Sequence, residues 1–238
     1  MSAWLTATVV AAEMAIPDGR LLTLDVPGWD GSLPGQHLDL RLTAEDGYQA
    51  VRSYSMASYG PAGHVQLAVD RLPDGEVSPY LVEELMPGDQ FEVKGPIGRY
   101  FVWRTMQSEP VQLVAGGSGV VPLMAMIRAH DDSESAAPFR MLYSVRSPEH
   151  AYYAGELATR VGERFRLDWV YTGRTPNGWP RPPGRIDREI VEELIIAPGE
   201  RPTVYVCGAT GFVEAVASLL VELGHDPLRI KTERYGGA

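Results

Sequence analysis

The chain changes character once, near residue 105, and that change limits its fold more than any other feature. Up to about residue 104 the apolar residues fall in short alternating or β-branched runs: Thr6 to Val10, Leu21 to Val26, His37 to Leu42, Val51 to Met56, Val65 to Leu72 and Gln90 to Lys94. Pro27-Gly28, Pro34-Gly35 and Pro87-Gly88 punctuate them. Pro and Gly favour turns over continued strands, so the pattern is that of an antiparallel barrel. One short helix is expected near Ser78 to Met86. From Val111 onward apolar strands alternate with Gly-rich turns and longer helices: Val111 to Ala115, Val120 to Ala129, Met141 to Val145, Val204 to Cys207 and Phe212 to Leu223. This alternation belongs to a doubly wound parallel sheet. The polar stretch from Thr105 to Pro110 separates the two patterns. The expected fold class is therefore β + α/β: an antiparallel barrel domain over 1–104, then a doubly wound parallel α/β domain over 110–238.

Two cores are within reach of 238 residues. A composition of 45% hydrophobic and 22% charged residues matches a globular chain, and no run attains the ~20 apolar residues of a spanning helix. The apolar stretch Ala3 to Ala12 has no basic residue ahead of it and is followed by Glu13, so it reads as a strand and not as a signal segment. No membrane insertion and a cytoplasmic location are expected. The formal charge of −10 repels polyphosphates, which argues against nucleic acid and requires any phosphate site to be local. With Cys207 as the single cysteine, this chain alone forms no internal disulfide and holds no four-thiolate iron–sulfur cluster.

Several segments carry chemistry. Arg52-Ser53-Tyr54-Ser55 ends a barrel strand. Strand alternation sends Arg52 and Tyr54 to one face and Ser53 and Ser55 to the other. A guanidinium beside an aromatic suits a ligand with both a phosphate and a flat ring, although an edge strand with a surface arginine has the same appearance. Gly75-Glu76-Val77-Ser78-Pro79 opens the short helix, whose free N–H groups could hold a pyrophosphate; any capped helix start looks similar. Gly95-Pro96-Ile97-Gly98 makes a tight corner packed by Phe101. In the second half, Leu113-Val114-Ala115 leads into Gly116-Gly117-Ser118-Gly119-Val120-Val121-Pro122 and a helix, an order that lets backbone approach a dinucleotide phosphate. Cys207-Gly208 repeats that logic at a later strand end, though a small packed thiol fits there too. Glu233-Arg234-Tyr235 ends the last expected strand.

Taken together and in this order, these motifs resemble the ferredoxin–NADP reductase superfamily, in particular its compact bacterial reductases without an iron–sulfur domain. The resemblance spans nearly the whole chain. It implies a Greek-key FAD-binding barrel followed by an NAD(P)-binding domain, FAD as cofactor, and NADPH or NADH as electron donor. Arg52 would pair with the FAD pyrophosphate, Tyr54 would pack on the isoalloxazine, and Ser55 would hydrogen-bond near flavin N5, with Ser53 and Val69 among the flavin contacts. Gly75, Val77 and Ser78 would give the pyrophosphate its second hold. Gly117, Ser118, Gly119 and Pro122 would receive the nicotinamide dinucleotide, and Cys207 and Gly208 would lie beside its nicotinamide ring. Glu233 and Tyr235 match the tail segment near the flavin. Arg174 and Arg185 stand where NADP-using relatives place cations, and Arg146 ends the second strand of the nucleotide domain; arginine suits a 2′-phosphate, and surface arginines on an acidic protein fit nearly as well. Two positions depart from the family pattern: Val121 stands before Pro122 where many relatives have Thr or Ser, and Ala209 follows Cys207-Gly208 where Pro is frequent.

The expected activity is hydride transfer from NAD(P)H to FAD, with Ser55, Cys207 and Glu233 as catalytic candidates and a separate redox protein, such as a ferredoxin, monooxygenase or metallo-oxidase, as acceptor. Two alternatives remain at this point: a flavin reductase using loosely bound flavin as substrate, and a non-catalytic nucleotide-sensing subunit on the same scaffold.

Overall fold

The structure, a computed structural model, describes residues 3–61 and 64–235. Its residues group into two compact bodies, one running to Arg104 and including Met124–Ala129, the other comprising Thr105–Leu123 and the chain from His130.

The first body is a six-stranded antiparallel sheet: β1 (Leu5–Ile16), β2 (Gly19–Asp25), β3 (His37–Thr43), β4 (Gln49–Ser55), β5 (His64–Asp70) and β6 (Gln90–Ile97), in the order β4-β3-β6-β1-β2-β5. Alternate residues point inward as a period of two demands. Ala7, Val9, Leu22, Leu24, Leu38, Leu40, Val65, Leu67, Val69 and Val93 form the buried core. The sheet curls until its two edges meet, but they meet only at one corner, through the Met56–Leu67 bridge and the Ala57 N–H bonded to the Gln66 carbonyl at 2.8 Å. The rest of β4 remains an edge. β1 is longer than the run Thr6 to Val10 indicated, because register shifts at Val9/Ala11 and Met14/Ile16 interrupt its alternation without ending its pairing. The expected short helix is a π-helical turn, Tyr80–Glu84. Its carbonyl end is held from across the sheet by Arg20, whose guanidinium donates to the carbonyls of Leu85 (2.7 Å), Val82 (3.2 Å) and Ala12 (3.1 Å).

The second body is a parallel sheet of β7 (Val111–Gly116), β8 (Phe139–Val145), β9 (Phe165–Tyr171), β10 (Thr203–Ala209) and β11 (Ile230–Tyr235), in the order β11-β10-β7-β8-β9. Helices α1 (Val120–Asp131), α2 (Ala154–Arg160), α3 (Arg188–Leu194) and α4 (Thr210–Glu222) make the crossovers. The central strands are mostly apolar, as burial on both faces requires. Fully buried Gln112 is satisfied: its amide donates to the Leu113 carbonyl and its oxygen accepts from the Ile196 N–H at 3.0 Å. Strand order reverses between β7 and β10, which makes their carboxyl ends the topological switch point where ligands of such sheets gather. No helix among the described residues is long and apolar enough to cross a membrane.

Candidate functional site

In the first body the site begins on β4. Arg52 pairs across the ladder with Leu40, and Tyr54 with Leu38, both fully buried core residues. Cross-strand partners share a face, so Arg52 and Tyr54 lie on the core side of the sheet. Because β4 is an edge, this inner face is open beside Arg52, whose side chain is 50% exposed. Tyr54 packs on the core, and burial pushes its phenol up to about 12, so the ring stays neutral at any physiological pH. Ser53 occupies the opposite face, where its hydroxyl donates to Asp39 at 2.6 Å, and Ser55 ends the strand opposite His37.

The segment Arg71–Pro79 returns to this edge. The Ser78 hydroxyl accepts from the Leu72 N–H at 3.0 Å, folding the segment into a turn. A Cβ on Gly75 would stand 2.7 Å from that hydroxyl and 3.0 Å from the Leu72 carbonyl oxygen, so the turn admits only glycine without rearrangement. Val77 and Ser78 are buried beneath it. Glu76 reaches back and accepts from Arg52 at 2.8 Å. Nothing in the motif Gly75–Pro79 assigns Glu76 a partner; the signal lies in a contact 24 positions away, which no local pattern encodes.

In the second body the candidate residues gather at the switch point. Gly117–Gly119 form a single 3₁₀ turn between β7 and α1. A Cβ on Gly119 would lie 2.1 Å from the Cys207 carbonyl oxygen, so β10 and the turn approach each other backbone to backbone. Phe212, which sequence reasoning saw only as a helix residue, packs its ring against both Gly116 and Gly208. Ala209 adopts φ −58° and ψ 147°, the conformation a proline would impose, so the backbone path survives the departure from the family pattern. Ser144 and Arg146 at the end of β8, Thr172 after β9, and Gly116, Gly117 and Tyr235 border a cavity of about 270 Å³. Gly173 and Arg174 are drawn to Arg146 by backbone bonds to its carbonyl (2.9 and 3.0 Å). Arg174 is paired with Glu149, and Arg185 is exposed but does not border the cavity.

Cys207 is 1% exposed, and burial, with Glu233 alongside, pushes its thiol well above the ordinary range. The thiolate is the reactive form, and burial disfavours it, so the side chain is placed for packing at the strand end and not for nucleophilic attack. Alkylation of the native protein with iodoacetamide is therefore expected to be negligible even at pH 9 and to become complete on unfolding; rapid native labelling would show that the strand end is open.

Tyr235 lies over the Gly-rich turn. Its hydroxyl donates to the Gly116 carbonyl at 2.6 Å and accepts from the Gly119 N–H at 3.1 Å. A dinucleotide phosphate using that N–H must displace it. Tyr235→Phe is expected to tighten NAD(P)H binding by about 3- to 10-fold, the worth of one hydrogen bond, with kcat little changed. An unaltered dissociation constant would mean that the coenzyme and the hydroxyl do not compete.

Residues 6–102 match the oxidoreductase FAD-binding domain and residues 113–218 the oxidoreductase NAD-binding domain. The chain is 30% identical over 231 residues, 96% of its length and 68% of the relative's, to the ferredoxin–NAD(P)(+) reductase component of the naphthalene 1,2-dioxygenase/salicylate 5-hydroxylase systems of a Ralstonia species. The chain belongs to the ferredoxin reductase-like family of FAD- and NAD-binding oxidoreductases. As an oxidoreductase of this family it uses FAD and NAD(P). It also superposes on the Amycolatopsis cytochrome P450 reductase GcoB with a TM-score of 0.84 at 26% identity, covering 98% of this chain and 69% of that one. The FAD/NAD-binding domain of the Vibrio cholerae nitric oxide dioxygenase gives a TM-score of 0.85 over the full length of both chains at 24% identity, which speaks to the fold.

The first body's residues fit FAD. A guanidinium stands at the open edge, a neutral ring lies 2 residues along the same face, and Gly75 leaves a gap that a side chain would fill.

Proposed function

We propose that this oxidoreductase acts in the cytoplasm as the reductase component of an oxygenase-type system, taking hydride from NAD(P)H and delivering electrons to a separate redox protein such as a ferredoxin. One observation carries the flavin half: Arg52 and Tyr54 share the inner face of an edge strand, with the Gly75–Ser78 turn tied to Arg52 through Glu76. The Ralstonia relative, named as a ferredoxin–NAD(P)(+) reductase component, supports the acceptor class.

Bound FAD supplies the chemistry, accepting an electron pair as hydride and passing electrons onward. The chain's own residues bind and orient. Arg52 neutralises the pyrophosphate charge, and the Gly75–Ser78 turn offers backbone donors to it. Tyr54 presents a flat face that carries no charge, and Ser55 ends the strand with a hydroxyl for the ring edge. Gly117–Gly119 hold the coenzyme phosphates once Tyr235 yields, with Pro122 in the first turn of α1, while Arg146, which borders the cavity, and Arg174, bonded to its carbonyl, serve the adenosine end of the coenzyme. Glu233, beside Cys207 in the ladder, keeps a carboxylate at that strand end.

Anaerobic addition of NADPH or NADH to the purified protein is expected to bleach a yellow flavin spectrum, and ferredoxin with cytochrome c should then be reduced. A yellow protein that neither nicotinamide bleaches would refute the assignment. A colourless protein that reduces added FMN would transfer it to a flavin reductase.

A further inference from the structure

The mechanism above does not use Arg128. Residues 120–130 are buried except for this side chain, which is half-buried and is the one Lys, Arg, Asp or Glu among them. The stretch that carries it, Met124–Ala129, belongs to the first body. One nitrogen of its guanidinium donates both to the Ala57 carbonyl, at 2.9 Å, and to the Gln66 side-chain oxygen, at 3.0 Å. Resting on the flavin placement proposed above, we infer that Arg128 is a positioning residue for Ser55. By tying the corner Met56–Ala57 to Gln66 it fixes the hydroxyl set at the flavin ring edge, and so governs the rate of hydride transfer.

The corner is where the chain changes partner. Ser55 is the last residue paired with β3, opposite His37, and Met56 bridges to Leu67 of β5. The Met56 N–H donates to the Gln36 carbonyl at 3.2 Å and the Ala57 N–H to the Gln66 carbonyl at 2.8 Å. Gln36 is itself held, since its side chain accepts from the Leu33 N–H at 2.7 Å and donates to the Gly98 carbonyl at 2.8 Å. Met56 and Ala57 are fully buried, so their backbone groups need partners within the protein. β4 has ended by this point, and the donor that a ladder would provide to the Ala57 carbonyl comes from Arg128 instead.

A charged donor holds that carbonyl more firmly than an amide would. The same guanidinium gathers Gln66, whose N–H donates to the Ser58 hydroxyl at 3.0 Å, so one side chain secures both strands where they meet. Ser55 lies two residues before Ala57. Peptide planes are stiff, and a buried carbonyl that loses its donor turns towards water and carries its neighbours with it. Hydride transfer tolerates little of this, because misplacing a positioning group by about 1 Å costs up to roughly 100-fold in rate.

The test measures, by stopped flow, the limiting rate at which saturating NAD(P)H bleaches the FAD-loaded full chain. Wild type, Arg128→Met, Ser55→Ala and the double variant are compared. Arg128→Met should bleach about 10- to 100-fold more slowly than wild type, while its FAD affinity, which Arg52 governs, stays within about twofold. Arg128→Lys keeps a charged donor on a shorter side chain; it should recover part of the rate, and it is the probe if Arg128→Met does not fold. In the Ser55→Ala background neither change at Arg128 should slow bleaching further, because the group it positions is gone. A wild-type rate in Arg128→Met, or a loss at Arg128 that multiplies with that of Ser55→Ala, would overturn the inference and leave the flavin site standing. A Ser55→Ala protein that bleaches at the wild-type rate would overturn the two together.

Discussion

Gly119→Ala is expected to be the most damaging single-methyl substitution in the second body. The new Cβ would lie 2.1 Å from the Cys207 carbonyl oxygen, 2.4 Å from its carbon and 2.8 Å from the Gly208 nitrogen. All three are backbone atoms of the central strand β10, so no side chain can swing aside. The turn or the strand must move, and either movement disrupts the packing of β7 against β10. Steric conflict of this kind belongs to the severe class, and a loss of about 4 kcal/mol or more is expected, lowering the thermal midpoint by more than about 10 °C. Gly155→Ala is the control: it lies in α2 with nothing within 4 Å of the added carbon, so it should be neutral or stabilising by up to about 1 kcal/mol. Equal thermal midpoints for Gly119→Ala and Gly155→Ala would show that β10 and the turn are not in contact.

Arg52→Ala should separate binding from folding. The Arg52–Glu76 pair has side chains 50% and 41% exposed, and exposed pairs add little to stability, so unfolding should shift by less than about 1 kcal/mol. On the proposed flavin placement, FAD affinity depends on the same guanidinium in a different way. Losing a charge-assisted contact to the pyrophosphate is worth about 2–3 kcal/mol, a drop of roughly 30- to 150-fold in affinity. Arg52→Lys restores the charge but not the planar fork, and should recover only part of the loss. The measurement is flavin retention through gel filtration together with a fluorescence titration. Full retention of FAD by Arg52→Ala would remove this residue from the site.

The barrel strands were legible because one face of each is buried and the period of two shows directly in the residues. The Gly-rich turn was legible because a strand, glycines and a helix fall within ten positions. β9 (Phe165–Tyr171) corresponds to no run in the sequence reading. It is the outer strand of its sheet, and Arg166 and Asp168, paired with each other at 3.0 Å, interrupt its apolar pattern. Arg20 was equally invisible as a support of the turn Tyr80–Glu84, because its acceptors at that turn, the carbonyls of Val82 and Leu85, lie 62 and 65 positions away.

By itself the sequence determined most of the strands and the main helices, and which residues could meet a phosphate or a flat ring, since those depend on periodicity and on side-chain chemistry. Only the tertiary structure decided which of those residues come together. Glu76 against Arg52, the Tyr235 hydroxyl in the Gly116–Gly119 turn, and the closed environment of the Cys207 thiol are all products of long-range pairing. The physical reason is that hydrogen bonds and burial act between whichever groups the packed sheets bring within a few ångströms, whatever their separation along the chain.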